Sequence, residues 1–262
     1  MSYAIRPVAL NADMIDTHTH LTDEPLASAV GDVLARARAA GIERFIVPGY
    51  NVASWVAARA LAELHEDIRC AMGIHPLFPD GAALVHLERE ISLGGIVAIG
   101  EIGLDHADEK ADQPLQMRLF RRQLDLARAA CLPVILHCRH AYDDLLGALR
   151  ACPGVCGVMH SCSCNHEQVK PFLDLGLYIG FSGVITRAGP KKVKKMAEIV
   201  PLDRIVAETD SPFIGTAMHP VPHSEPADIV EVVAALAAVK GVDGAVMAQA
   251  TTANARRMFR LH

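Results

Sequence analysis

Two histidines separated by a single threonine stand near the start of the chain, in the segment MIDTHTHL. Met14, Ile15 and Asp16 are typical of a short strand, and residues two apart on a strand point to the same face. We therefore expect His18 and His20 to direct their imidazole rings at one place. Histidine is a frequent metal ligand, but a His-Thr-His motif is weak evidence by itself. Two interpretations stay open, either polar residues that leave a strand or one side of a metal site.

The composition of the chain is that of a globular protein. Its 262 residues suffice for one large α/β domain or two smaller ones, and 51% are hydrophobic and 21% charged, as in ordinary folded domains. The sequence has no run of about 18 apolar residues, so no membrane-spanning helix is predicted. The formal net charge of −5 argues against a protein that coats duplex nucleic acid without specificity.

The compartment is predicted from the cysteines and from the first residues. Seven cysteines are scattered along the chain, and an odd, scattered set favours reduced thiols over a disulfide framework. The opening segment MSYAIRPVALNADM lacks the charged start and the continuous apolar stretch of a signal peptide. Both features predict a cytoplasmic protein.

Short apolar runs alternate with longer segments of helical period along the chain. There are eight such runs: MID, RFIVPG, IRCAMGI, GIVAIGEIGL, LPVILHC, GVCGVMH, LYIGFSGVI and DRIVAETD. They are almost continuously apolar, as expected for parallel strands that are covered on both faces. This pattern predicts an α/β fold of the (β/α)8 TIM-barrel type. The alternative is a doubly wound open sheet, but no glycine-rich phosphate-binding motif follows the first run.

We find no low-complexity linker and no shift in composition, so we predict one domain over residues 1–262. The last two helical segments, DIVEVVAALAAVKG and AVMAQATTANARRMF, are predicted to be outer helices of the barrel.

Polar residues of the types that bind metals recur at or just after the ends of the predicted strands. Alone, each has an ordinary explanation, such as a hydrogen-bonded loop histidine or an acid in the first turn of a helix. In a TIM barrel, however, the C-terminal ends of the strands meet at one mouth, and buried carboxylates there require cations. Six ligands suit two divalent ions that share a carboxylate. The six are His18, His20, Glu101, His137, His160 and Asp210.

Several segments resemble the signatures of one family, the TatD-type metal-dependent deoxyribonucleases. They are DTHTHL, GIHP, GEIGLD, PVILHCR, ETDSP and TTANARRMF, and the resemblance extends from about Ile15 to Phe259. This family belongs to the amidohydrolase-like metallohydrolases with a TIM barrel. The resemblance implies a hydrolase that cleaves phosphodiester bonds of DNA, with single strands or 3′ ends as the expected substrate and a 3′-5′ exonuclease as one version of that activity.

The resemblance also implies roles for individual residues. His18, His20 and Asp210 would bind one ion, and Glu101 would bridge to a second ion that His137 and His160 complete. The two divalent ions would be zinc, manganese or magnesium, and they would lower the pKa of a shared water. Asp210 and Glu101 are therefore the expected catalytic residues, with Asp210 accepting or relaying the proton of that water. The expected substrate-binding residues are His75, Arg139 and Glu208.

Two local features leave alternatives open, and a third bears on how a substrate would bind. Lys191, Lys192, Lys194 and Lys195 form either an electrostatic guide for a nucleic-acid backbone or an ordinary solvated helix face. Where the family usually has Cys-Phe-Ser-Gly after its histidine, this chain has HSCSCNHE, and Cys162 and Cys164 are either zinc ligands or buried inert thiols. Aromatic residues make up only 5% of the chain, so an extended platform for stacked bases is not predicted.

Two other functions compete with a nuclease. One is a two-metal amidohydrolase or esterase that acts on a small molecule, although Glu101 stands where the dihydroorotase and phosphotriesterase types need a bridging modified lysine. The other is a metal-binding, non-catalytic subunit of a larger complex, which has no need for six inward-facing ligands.

Overall fold

The computed structural model describes residues 13–189 and 191–261. The predictions made from the first residues of the chain, namely the missing signal peptide and the start of the single domain, therefore concern residues 1–12, which lie outside the described ones.

Eight parallel strands form one sheet in which each strand pairs with the next along the chain. The first and last strands meet as well, because the backbone N–H of Thr17 donates to the carbonyl of Ala207 (3.2 Å) and that of Asp210 donates to the carbonyl of His18 (2.9 Å). The sheet is thus a nearly closed barrel, which confirms the predicted fold. The strands are β1 (Met14–Asp16), β2 (Ile42–Gly49), β3 (Ile68–Met72), β4 (Ile96–Asp105), β5 (Val134–Arg139), β6 (Gly157–Met159), β7 (Tyr178–Phe181) and β8 (Ile205–Ala207).

Helices connect successive strands and cover the outside of the barrel. Side-chain caps begin several of them: Asn51 and Ser54 form a reciprocal capping box at one, and Asp112 caps another, each satisfying N–H groups that the first turn leaves free. The helices are α1 (Val30–Ala39), α2 (Val52–Leu64), α3 (Ala83–Leu93), α4 (Gln113–Ala129), α5 (Tyr142–Ala151), α6 (His166–Asp174), α7 (Lys191–Ile199), α8 (Ile229–Lys240) and α9 (Gly244–Phe259). Among the described residues, no helix is long and apolar enough to cross a membrane.

The apolar core has two parts. The larger lies between the strands and the helices, and the smaller one fills the barrel with a single residue from every strand, as the inward layers of a TIM barrel do. Ala255, Met258 and Phe259 of α9 belong to the smaller cluster, whose strand members are Ile15, Ile46, Ala71, Ala98, Ile135, Val158, Tyr178 and Val206.

The position of α9 differs from the prediction of an outer helix. Asn254 donates to the carbonyls of Leu202 and Ile205, and Thr252 donates to that of Asp13, so α9 lies at the N-terminal ends of β8 and β1. There its apolar face closes the barrel. Helical periodicity shows that one face is apolar, but it does not tell whether that face covers the side or the end of a barrel.

The predicted seventh and eighth strands are too long. The run LYIGFSGVI is predicted to be one strand, but β7 ends at Phe181 and a 3-10 helix occupies Gly183–Thr186. A short apolar run does not distinguish a buried strand from a buried helical turn. β8 ends at Ala207, so Glu208, Thr209 and Asp210 lie in the loop beyond the strand.

Gly103 in the segment GEIGLD permits a close approach of two strands. Its φ of +148° is in the region that favours glycine, and a Cβ there would overlap the backbone carbonyl of His137 on β5. A side chain at this position would therefore push β5, and with it His137, away from β4.

Candidate metal centre

The residues predicted to bind metal meet at the C-terminal mouth of the barrel. His18 and His20 follow β1, Glu101 lies inside β4, His137 lies inside β5, and His160 and Asp210 follow β6 and β8. All are buried except His137, which is partly exposed. Three groups of ligand atoms in this mouth are compact enough to hold an ion: His18, His20 and Asp210; His18, Glu101 and His160; and His75, Glu101 and His137.

The first group lies where β1 and β8 meet. The Nε2 atoms of His18 and His20 are 3.1 Å apart, as the spacing of two residues predicts for one face. Oδ1 of Asp210 lies 3.3 Å from Nε2 of His20 and 3.8 Å from Nε2 of His18. Asp210 has a φ of +55°, a left-handed conformation that aspartate tolerates better than most residues.

Glu101 is the common member of the other two groups. Its Oε2 lies 3.5 Å from Nε2 of His18, while its Oε1 lies 3.0 Å from Nδ1 of His137 and 3.3 Å from Nε2 of His75. Nε2 of His160 is 3.8 Å from the same Oε1. The two oxygens of one carboxylate therefore face different sets of histidines, as a bridging ligand requires.

His75 and Asp105 contribute more to this region than the sequence indicates. His75 is predicted to bind substrate, yet its ring belongs to a ligand group with Glu101 and His137. Asp105 is not among the predicted site residues. Its Oδ2 lies 2.9 Å from Nε2 of His137, the contact that typically orients a metal-bound imidazole. Positions 101 and 105 have the same parity on β4, so the sequence indicates that Asp105 points to the same face as Glu101.

Glu208 is fully buried and lies against His160. Its Oε1 lies 2.9 Å from Nδ1 of His160 without forming a hydrogen bond, and it accepts a short bond from the N–H of Ser161. Nε2 of the same imidazole lies 3.3 Å from Oδ2 of Asp210. Glu208 and Asp210 are two residues apart and lie beyond the end of β8, and their carboxylates contact opposite nitrogens of the same imidazole.

Hydrogen bonds among buried polar residues support the group of His18, His20 and Asp210 on the side away from the ligand atoms. Asp16 accepts from the backbone N–H of Thr209 (3.0 Å) and from its hydroxyl (2.6 Å), which ties the end of β1 to the segment beyond β8. The hydroxyls of Thr19 and Thr209 each lie 2.9 Å from that of Ser211. This network was not predicted from the sequence.

The donor set fits divalent cations. Nδ1 of His18 and of His20 are buried and have no hydrogen-bond partner among the described residues, while their Nε2 atoms converge on carboxylate oxygens. The observed separations of 3.1–3.8 Å are close to the roughly 3.3 Å that separates ligand atoms around a tetrahedral ion held at about 2.0 Å. Imidazole and carboxylate together suit zinc or manganese better than a magnesium-only cage.

Charges in the site are strongly coupled. Burial raises the pKa of Asp210, but His160 and then His20 and His18 outweigh burial and hold that pKa below its usual range. Burial lowers the pKa of His18, and His160 lowers it further, which favours the neutral ring that a metal requires. Burial also lowers the pKa of His137, yet its contacts with Asp105 and Glu101 prevail and raise the pKa to about 9.

The remaining predicted residues lie farther from the ligand groups. Arg139 ends β5 and is exposed. The lysines of α7 form the solvent side of an amphipathic helix whose buried side is Val193, Met196 and Ala197.

The Sγ atoms of Cys162 and Cys164 are buried and 3.3 Å apart, with Cys164 also near Met196. No metal-capable group of the described residues includes these cysteines.

One further group lies outside the mouth. Nδ1 of His219 is 2.7 Å from Oδ1 of Asp228 and 3.1 Å from Oε1 of Glu231. The side chain of His219 is half exposed, whereas most ligands at the mouth of the barrel are buried.

Comparisons with known proteins agree with this geometry. The family model of TatD related DNase matches residues 15–260. An uncharacterized metal-dependent hydrolase of Escherichia coli (strain K12), YcfH, is 33% identical and covers 95% of this chain and 96% of its own length. The 3'-5' ssDNA/RNA exonuclease TatD of Erwinia tasmaniensis is also 33% identical, over 95% of this chain and all of its own length.

A solved structure shows the same arrangement of strands and helices. YjjV, a TatD homolog from Escherichia coli, superimposes with a TM-score of 0.90 at 30% identity, covering 95% of this chain and 98% of that one. The family match spans nearly the whole chain and includes every ligand group of the barrel mouth, so the chain belongs to the TatD related DNase family.

Proposed function

We propose that this protein is a metal-dependent phosphodiesterase that removes nucleotides from the 3′ end of single-stranded DNA, using two divalent ions. Its family consists of metal-dependent hydrolases, which supports the coarser part of this assignment. The preference for a single strand and for 3′-5′ polarity is carried over from the names of relatives such as the Erwinia tasmaniensis protein.

The observation that carries the proposal is the position of Glu101, whose two oxygens face different histidine groups. One ion would be held by His18, His20 and Asp210. The second would be held by Glu101, His137 and His160, with His75 as a further candidate because it shares a ligand group with Glu101 and His137. A carboxylate between two sites is the feature by which two-metal hydrolases keep their ions close together.

Divalent ions in such a site lower the pKa of water and neutralise the charge that grows on phosphoryl oxygens during displacement. The side chains of the chain itself supply the rest. Asp210 stays ionised because of the surrounding histidines, so a carboxylate oxygen is available to take or relay the proton of the attacking water. Glu208 and Asp105 hold the rings of His160 and His137 from behind.

Arg139, which is exposed at the end of β5, is the candidate to bind a substrate phosphate through its guanidinium. The lysines of α7 are more distant candidates for the same task.

The test is hydrolysis of short DNA strands that carry a label at the 5′ end or at the 3′ end, in the presence of zinc, manganese or magnesium. We expect stepwise shortening of the 5′-labelled strand and immediate release of a labelled mononucleotide from the 3′-labelled one. RNA, duplex DNA, a lactone and an amide serve as competing substrates.

The matched variant is Glu101→Gln, which keeps the shape of the side chain and removes its charge. Loss of metal-dependent cleavage in a folded Glu101→Gln protein supports the proposal. Cleavage of the lactone or amide alongside intact nucleic acid would instead favour the small-molecule hydrolase.

A further inference from the structure

The distribution of phenylalanine in the fold is uneven. The chain has seven, all within the described residues, and Phe45, Phe120, Phe172, Phe181 and Phe259 are buried. The other two, Phe78 and Phe213, are 49% and 54% exposed. Both lie at the mouth of the barrel.

The backbone of each exposed phenylalanine is hydrogen-bonded to that of a residue in the metal centre. The backbone N–H of Phe213 donates to the carbonyl of Asp210, and that of Phe78 donates to the carbonyl of His75, both at 2.9 Å. Each ring thus lies three residues beyond a residue of the ligand groups. This spacing holds both rings close to the reacting centre.

The rings continue around one side of the mouth. The ring centroids of Phe213 and His20 are 4.9 Å apart in an edge-to-face arrangement. Tyr50 lies 6.0 Å from His20, and Phe78 stacks on Tyr50 at 5.1 Å with an angle of 29°. The hydroxyl of Tyr50 donates to Asp23, so this ring is fixed, while about half of each neighbouring phenylalanine remains exposed.

A ligand for this surface must have two properties. It must present a flat apolar face to the exposed rings. It must also place an anionic group at the metal centre, where bound cations would neutralise the charge of the carboxylates. A nucleotide has both properties, since every base has a stacking face regardless of sequence. A protein partner would cover the apolar rings but has no need for the buried ligands between them.

We propose that Phe213 and Phe78, with Tyr50 behind Phe78, form a stacking subsite for the terminal bases of a single strand. This inference rests on the proposed function and extends it to the mode of substrate binding. Only two exposed phenylalanines are present among the described residues, so the subsite engages one or two bases. A short subsite of this kind suits an enzyme that acts at an end.

The experiment measures kcat and KM of the metal-loaded protein on two DNA strands of equal length. One has normal bases, and in the other the last two nucleotides are abasic. Phe213→Leu and Phe78→Leu preserve apolar volume but remove the flat ring, and Leu64→Ala, at an exposed position of α2, is the matched control. We expect each phenylalanine variant to raise KM for the normal strand by about tenfold or more, and to affect the abasic strand much less.

A second measurement does not depend on cleavage. A strand with methylenephosphonate linkages, which cannot be hydrolysed, carries 2-aminopurine at its 3′ end, and stacking on an aromatic ring quenches its fluorescence. We expect quenching by the wild-type protein, weaker quenching by Phe213→Leu, and little quenching when the probe is placed in the middle of the strand.

The outcomes separate the two proposals. Quenching of the probe strand without cleavage of the normal strand would support the stacking subsite and reject the nuclease. Cleavage of the normal strand without quenching of the probe would support the nuclease and reject the stacking subsite. Equal losses on normal and abasic strands, or no loss in either phenylalanine variant, would overturn the stacking subsite.

Discussion

The two sides of the metal centre differ in how firmly the fold holds them. Where β1 meets β8, His18, His20 and Asp210 are buried, and a hydrogen-bonded network of Asp16, Thr19, Thr209 and Ser211 supports them. Where β4 meets β5, the side chain of His137 retains 19% exposure. Among the described residues, its ring contacts the carboxylates of Glu101 and Asp105 and the edge of the His75 ring.

The difference indicates a division of labour. A buried, braced group loses little entropy on binding an ion and holds it tightly, whereas a partly open group admits solvent and substrate and exchanges its ion more readily. We therefore expect the β1–β8 group to retain its ion through turnover. The β4–β5 group is expected to depend on the concentration of free metal.

The largest effect is expected from Asp210→Asn, which removes the charge from the braced group. Activity on single-stranded DNA should fall by more than the roughly 10–100-fold that is typical when a residue only orients a ligand. Added metal should not restore it, because the lost charge cannot be replaced. Steady-state rates over a metal titration check this, with circular dichroism to verify the fold. Recovery at high metal concentration would show that the two groups are alike.

His137→Gln should cause a smaller loss that metal partly reverses. The substitution weakens the open group while Glu101 and His75 remain in place, so we expect a loss of about 10–100-fold at low metal and substantial recovery at high metal. The same titration provides the readout. A loss as complete and as irreversible as that of Asp210→Asn would remove the proposed distinction.

Gly180→Ala tests whether the brace behind His160 matters. A Cβ at Gly180 of β7 would lie 2.6 Å from Oε2 of Glu208, so the carboxylate must shift and release its contact with His160. We expect a loss of about tenfold in activity or in metal affinity. Gly147→Ala on α5 is the matched control, since a Cβ there meets nothing within 4 Å and alanine favours a helix. Equal behaviour of the two variants would contradict the positioning role of Glu208.

The smallest effect concerns the lysines of α7. If they guide the substrate backbone, replacing Lys192 and Lys195 by alanine should slow cleavage about twofold at low ionic strength, and the difference should vanish at high salt, where charges are screened. Lys110→Ala, at an exposed loop position, is the control. A salt-independent effect would indicate a structural role for the helix face instead.

The sequence anticipated the barrel and the convergence of the ligands, because parallel strands bring their C-terminal ends to one mouth whatever their exact bounds. It also paired His18 with His20 through strand alternation. No strand pattern gives the direction of Glu208, since β8 ends at Ala207. The role of Asp105 is not predicted, although positions 101 and 105 have the same parity on β4.

Other features depend on tertiary contacts that no local pattern encodes. A low aromatic content argued against a stacking surface, but composition does not reveal that the two exposed phenylalanines, Phe78 and Phe213, both lie at the mouth and are linked through the rings of His20 and Tyr50. Likewise, the periodicity of α9 could not reveal that its apolar face closes one end of the barrel.

The central claim, two ions that share Glu101, is tested most directly by the number of tightly bound ions per chain, measured by elemental analysis after equilibrium dialysis against zinc or manganese. His219→Asn accompanies the wild type in order to subtract any ion at the exposed group of His219, Asp228 and Glu231. We predict two ions at the barrel mouth in the wild type, one in His137→Gln at low free metal, and a loss of affinity at both sites in Glu101→Gln. A single ion in the wild type, or an unchanged stoichiometry and affinity in Glu101→Gln, would contradict the account.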